Sequence, residues 1–138
     1  MRYFDASALV KRCVREPGSQ SIRQLMDSGP RATSRLSEVE VVSGIARLVR
    51  SGALSTPERD HAIATLDGTL PAMLVVELTS NITLRARALL ERHRIRAGDA
   101  IQLASCLDLQ DRLGQPVTMV SFDTRLTDSA AAEGLSLT

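Results

Sequence analysis

Apolar positions recur along this chain in short blocks whose spacing alternates between that of a strand and that of a helix. Arg2-Tyr3-Phe4 reads as a short buried strand ending at Asp5, and Ala6 to Arg12 as the entry to a helix broken at Glu16-Pro17-Gly18. Ser19 to Met26 predicts a second short helix with Ile22, Leu25 and Met26 on its apolar side. Ser28-Gly29-Pro30 stops it, and Arg31-Ala32-Thr33-Ser34 follows as a second strand. Ser37 is placed to cap a longer helix in which Val39, Val42, Ile45, Ala46 and Val49 recur at helical spacing up to Gly52. Ser55-Thr56-Pro57-Glu58 carries a capping pattern with proline just inside the next helix, whose apolar side is Ala62, Ile63 and Leu66.

Beyond Pro71, the β-branched run Met73-Leu74-Val75-Val76 predicts a strand. Thr79 to His93 returns to helical period through Ile82, Ala86, Leu89 and Leu90. A helix from Ala97 to Leu113 is closed by Gly114 and Pro116. Val117 to Val120 is a strand that ends at Ser121-Phe122-Asp123. A last helix runs through Leu126, Ala130 and Ala131 to Gly134, and Leu135-Ser136-Leu137 adds an edge strand. Strands alternating with helices predict an α/β fold: a parallel or mostly parallel sheet covered on both faces. No repeat, long linker or low-complexity tract interrupts the 138 residues, so residues 1–138 are expected to form a single domain.

Composition changes this picture little. Apolar residues make up 43% and charged residues 24% of the chain, ordinary for a folded protein, and no apolar segment is long enough to span a bilayer. The N-terminus lacks the extended apolar region of a signal peptide, so a cytoplasmic location is expected. Cys13 and Cys106 lie far apart and match no zinc or redox spacing, which favours two buried, reduced thiols. His61 and His93 form no metal-binding spacing either. The net charge of +1 does not by itself predict a nucleic-acid partner, and Lys11 is the only lysine among 17 basic residues.

Candidate chemistry rests on four acids. Tyr3-Phe4-Asp5 and Ser121-Phe122-Asp123 each put an aspartate at the carboxyl end of an apolar strand, the edge at which open α/β sheets bind ligands. Glu40 lies within the apolar run Val39-Glu40-Val41-Val42, and Asp99 opens the tract Ala100-Ile101-Gln102-Leu103-Ala104. Each has an ordinary explanation on its own. Asp99 suits the first turn of a helix, and Glu40 suits a solvated face shared with Ser43 and Arg47. Taken together, converging carboxylates without bases would repel one another and take up protons. A divalent cation reverses that penalty, and hard oxygen donors point to Mg²⁺, with Mn²⁺ able to substitute.

At these positions the chain resembles the PIN-domain family, and within it the VapC-like toxins. Tyr3 to Lys11 is similar to the family's strand–Asp–x–Ser opening. Thr33 to Val41 resembles its second acidic motif, with Glu40 as the motif acid and Glu38 out of register. Arg96 to Ala104 resembles the third motif, although many relatives carry a larger apolar residue where this chain has Gly98. Val120 to Leu126 resembles the fourth. The resemblance runs from Arg2 to Leu137.

It implies a three-layer α/β/α fold with a twisted, mostly parallel sheet of about five strands. An acidic pocket of Asp5, Glu40, Asp99 and Asp123 would bind Mg²⁺ and carry catalysis. The implied activity is that of an endoribonuclease toxin hydrolysing RNA phosphodiester bonds by metal-activated water. It would be silenced by a cognate small antitoxin and assemble as a homodimer and as a toxin–antitoxin hetero-oligomer. Promoter DNA would be met only through the antitoxin, and no membrane would be involved.

Secondary expectations follow. Asp5 and Asp99 are the most direct ligands, with Ser7 and Ser34 as hydrogen-bond partners of the carboxylates. Arg125 is a candidate phosphate contact, and Arg92, Arg94 and Arg96 form a rim if they face the crevice. Tyr3, Phe4 and Phe122 are expected in buried strands, leaving no aromatic stacking platform. Val10, Val14, Ile22, Leu25, Val42, Ile45 and Val49 exceed the needs of one inward face and are expected to leave a groove for a partner helix. The alternative is a non-catalytic PIN-like module that binds RNA or protein. A phosphatase or phosphate-receiving domain is disfavoured because no late lysine exists.

Overall fold

A computed structural model describes residues 1–138. Five short strands, β1 (Arg2–Phe4), β2 (Arg31–Ser34), β3 (Leu74–Val76), β4 (Thr118–Val120) and β5 (Ser136–Leu137), form one sheet in the order β3-β2-β1-β4-β5. Every pairing is parallel, so the expected mostly parallel sheet is parallel throughout. Seven helices connect them: α1 (Ala6–Cys13), α2 (Ser19–Asp27), α3 (Ser37–Arg50), α4 (Thr56–Thr69), α5 (Ser80–Arg92), α6 (Ala97–Leu113) and α7 (Thr124–Ala132). A single 3₁₀ turn, Leu70–Ala72, leads into β3. No helix is long and apolar enough to cross a membrane.

Alternation along the strands divides the interior in two. Tyr3 and Met119 point into a cluster with Ile82, Leu89 and Leu103 from α5 and α6. Their neighbours Phe4 and Val120 point the other way, into a cluster with Leu9, Ile22, Ile45 and Leu66 from α1 to α4. Both faces are therefore covered, giving three layers, and complete burial of each large side chain removes it from water at a gain of roughly 1.5–3 kcal/mol. The two cysteines fall one in each cluster and are free thiols. Burial pushes Cys13 up to about 11 and Cys106 up to about 12.

The helix starts follow local chemistry. Asp5 caps α1 by accepting the Ala8 N–H, Thr79 caps α5 through Ile82, and Asp123 caps α7 through Leu126. Ser55 and Glu58 form a full capping box on α4. Two expectations about α3 are corrected. Ser37 does not cap it but sits buried in its first turn, bonded to Thr33 and Gln102. The inward face is Ser37, Val41, Gly44 and Ile45, and the valines expected there, Val39 and Val42, are 63% and 39% exposed. Leu90 on α5 and Ala131 on α7 also face outward. Of the residues expected to border a groove, Val14, Ile22 and Ile45 belong to the core.

Candidate active site

The strand order reverses direction at β1, where the chain first builds outward to β2 and β3 and later returns on the other side as β4. Ligand crevices of open α/β sheets lie beyond the carboxyl ends of the strands at such a switch point. Asp5 leaves β1 there and Asp123 follows β4. Glu40 arrives on the first turn of α3 and Asp99 on the first turn of α6. Glu40, Asp99 and Asp123 line one open cleft of about 720 Å³. Asp5 lies behind it, only 4% exposed.

Asp5 is held on all sides. Its Oδ1 accepts the Ala8 N–H (2.9 Å) and the Ser7 hydroxyl (2.7 Å), and its Oδ2 accepts the Ser121 hydroxyl (2.7 Å). Ser7 accepts the Phe122 N–H (2.9 Å), and Ser121 accepts the Asp123 N–H (3.1 Å), so each hydroxyl is oriented from behind. Burial raises the Asp5 carboxyl above its ordinary pKa, and Asp99 adds to that, while Ser121, Ala8 and Ser7 pull it down.

Glu40 is aimed by a buried relay. The Tyr3 hydroxyl donates to Gln102 Oε1 (2.7 Å), which fixes the amide so that Nε2 donates to Ser37 (2.9 Å) and to Glu40 Oε2 (3.0 Å). The other Glu40 oxygen lies against Gly98, where any Cβ would collide with it, so glycine there makes room for the acid. Burial raises the Glu40 pKa, offset by Gln102 and reinforced by Asp99 and Asp5. Asp99 is raised by burial and by Asp123, while the Arg96 backbone and the charges of Arg96 and Arg125 act the other way.

These acids therefore feel one another, yet none is ion-paired with a lysine, arginine or histidine. Their donors are all hard carboxylate oxygens, which suits a divalent cation. As the side chains stand, no three acid, imidazole or thiol groups converge closely enough to hold an ion between them.

Around the acids, expectation and structure part in places. Ser7 bonds a carboxylate as expected, but Ser34 does not; it accepts the Leu36 N–H and a bond from Ser105. Arg96 and Arg125 line the cleft. Arg92 turns away to Glu133, which His93 also contacts, and Arg94 is absent from the cleft wall. The sequence pattern does not mark Ser121, Gln102 or Arg47 as part of the site. Ser121 reads only as part of a strand end, and Gln102 sits among apolar residues of α6 with no charge to mark it. Phe122 is not buried in a strand; it lies beyond β4 and is 50% exposed on the cleft wall.

The PIN domain family profile matches residues 2–131. Ribonuclease VapC45 of Mycobacterium tuberculosis is 36% identical over 96% of this chain and 90% of its own. Ribonuclease VapC46 of the same species is 31% identical over 98% of this chain and 94% of its own. In fold, the chain resembles the crystal structure of Mycobacterium tuberculosis VapC20, a sarcin-ricin loop cleaving toxin, with a TM-score of 0.70 and 18% identity over 98% and 96% of the two chains. A match across nearly the whole length, in a chain that gathers four acids at one switch point, places this protein in the PIN-domain family, among its VapC members.

Proposed function

We propose that this protein is a Mg²⁺-dependent endoribonuclease and the toxin of a toxin–antitoxin pair. The observation that carries this reading is that Glu40, Asp99 and Asp123 line one cleft with Asp5 buried behind it, and that no basic side chain is ion-paired to any of the four. The relatives that cover almost the whole chain are named ribonucleases. Asp5 and Asp99 would be the most direct ligands, with Glu40 and Asp123 completing the set.

When bound, Mg²⁺ would supply a Lewis acid that polarises the phosphate and lowers the pKa of water, so that hydroxide is available as the nucleophile. The protein's own groups do the rest. Ser7 and Ser121 fix the direction of the Asp5 carboxylate, and Gln102 fixes that of Glu40. Arg47, Arg96 and Arg125 line the cleft and attract the phosphate backbone. No histidine lines it, so no imidazole is placed there to accept a proton.

The partner assignment is of the same kind. A structure of similar fold, VapBC2 from Rickettsia felis bound to a DNA fragment from their promoter, matches with a TM-score of 0.66 and 14% identity over 100% of this chain and 98% of that one. On this reading a small antitoxin binds the chain, and promoter DNA is contacted through it. The exposed Val39 and Val42 give α3 an apolar face for a partner helix.

The test is to strip the protein of metal, restore Mg²⁺, and incubate it with total cellular RNA and with single-stranded DNA. Cleavage of RNA leaving 5′ phosphates and 3′ hydroxyls is expected, because attack by water does not use the 2′-hydroxyl. Ends carrying 2′,3′-cyclic phosphate, or RNA binding without cutting, would overturn it; the second result would favour a non-catalytic module. Co-expression with the adjacent small open reading frame should give a stable complex without nuclease activity.

A further inference from the structure

Phe122 is the large apolar side chain that the cleft leaves uncovered. Single exposed apolar residues are common and usually mean nothing. This one immediately precedes Asp123 and lines the same cleft as Glu40, Asp99 and three arginines. Its ring is also fixed. Lys11 Nζ stands 4.5 Å from the ring centroid, and Lys11 is itself held by Glu16 (3.0 Å) and the Pro17 carbonyl (2.9 Å). Gly18, at a φ of +92° that disfavours any side chain, approaches so closely that a Cβ would come within 3.1 Å of the ring. The Phe122 N–H is bonded to Ser7, which ties the ring's position to the group that orients Asp5.

A half-exposed ring that is already immobilised has little freedom to lose when something flat settles on it. Arg47, Arg96 and Arg125 on the same cleft supply charge for phosphates on either side. Resting on the ribonuclease reading above, we infer that Phe122 is a stacking platform for a nucleobase beside the phosphate to be cut, and that the substrate must be unpaired at that base. A base within a duplex has both faces covered by its neighbours and cannot offer one to the ring. An unstacked base can, and aromatic platforms for single strands work in this way.

The test uses the full-length Asp5→Asn protein, so that RNA is bound but not cut, with short single-stranded oligoribonucleotides carrying 2-aminopurine at successive positions. Stacking should quench fluorescence at one position. Phe122→Leu should remove that quenching and weaken binding about ten-fold. In the otherwise intact enzyme it should raise KM with little change in kcat. Phe122→Trp should restore both, and a base-paired duplex of the same sequence should bind more weakly than the single strand. If Phe122→Leu leaves affinity and quenching unchanged, or the duplex binds equally well, the platform is wrong while the ribonuclease reading stands. If protein with Phe122 intact neither binds nor cuts RNA, the ribonuclease reading fails and the platform falls with it.

Discussion

At the end of β1 the chain passes from Phe4 through Asp5 into α1 in a single step, whereas at the end of β4 Ser121 and Phe122 intervene between Val120 and the capping Asp123. The sequences Tyr3-Phe4-Asp5 and Ser121-Phe122-Asp123 look like two copies of one junction. Strand register shows that they are not: Phe4 pairs with Val120, so the residue beside Asp5 is Ser121 and not Asp123. One phenylalanine is therefore core and the other half-exposed. One aspartate is buried under three donors with a raised pKa, while the other stands two residues further out on the cleft wall. Both cap a helix, so capping alone cannot be what distinguishes them. The difference lies in depth, and depth decides how strongly each acid needs a counter-charge.

The largest expected effect comes from making the same change at both junctions. Asparagine is as good a helix cap as aspartate, so Asp5→Asn and Asp123→Asn should both fold. Asp5→Asn should lower the cleavage rate by about a thousand-fold, the scale of removing one preorganised electrostatic group. Asp123→Asn, at the more open junction, should cost roughly ten- to a hundred-fold. In metal-free protein at neutral pH, Asp5→Asn should melt at or above the wild-type temperature. Burial raises the folded-state pKa of Asp5, so its ionised form opposes folding in full above that pKa, and the penalty is lost as pH falls from there to the unfolded value. The gap between the two proteins should therefore close toward acid pH. A large loss of stability at neutral pH in Asp5→Asn alone would mean that the carboxylate serves the fold rather than a cation.

Ser121 joins the two junctions, donating to Asp5 and accepting from the Asp123 N–H. Ser121→Ala should reduce activity by roughly ten- to a hundred-fold, the range for losing a partner that orients a ligand. It should also cost about 1 kcal/mol of stability. The hydroxyl holds the Asp5 pKa down, so its removal should raise that pKa and move the acid limb of the pH–rate profile to higher pH. Lower activity with an unmoved acid limb would show that Ser121 acts elsewhere than on Asp5.

The same contrast explains what could be read from sequence. All five strands and seven helices were legible, because breakers and caps bracket nearly every one. The four acids were legible as candidates because Asp5 directly follows β1, Asp123 stands just beyond β4, and Glu40 and Asp99 interrupt apolar tracts. What holds them was not. Gln102 is a neutral residue whose use appears only when Tyr3, ninety-nine positions away in the chain, fixes its amide. The face of α3 is hidden in the sequence because its buried stripe includes Ser37 and Gly44, one polar and the other without a side chain. Neither registers as apolar, whereas the exposed Val39 and Val42 do. Gly98 reads in the sequence as a small departure from the family pattern, whereas in the fold Glu40 lies against it.

The smallest effect is expected at the far end of α7, where an acid is shifted in the opposite direction from Asp5. Glu133 accepts from His93 (2.6 Å) and from Arg92 (3.0 Å), tying the end of α7 to the end of α5. The bond from His93, then Arg92, lowers the Glu133 pKa. A lowered folded-state pKa contributes stability above the unfolded value and loses it as pH falls through the folded one. Glu133→Gln should thus lower stability at neutral pH by at most about 1 kcal/mol, since solvent screens the pair. That difference should fade on acidification, just as the Asp5→Asn difference does, but with the mutant now the less stable protein. Cleavage should be unchanged, because neither Arg92 nor His93 lines the cleft. Chemical denaturation of both variants across the acid range, read beside the cleavage rate, separates an acid that holds two helices together from one that the fold buries at a cost. A Glu133→Gln protein that lost activity while keeping its stability would show that the end of α7 also positions Asp123 at its start.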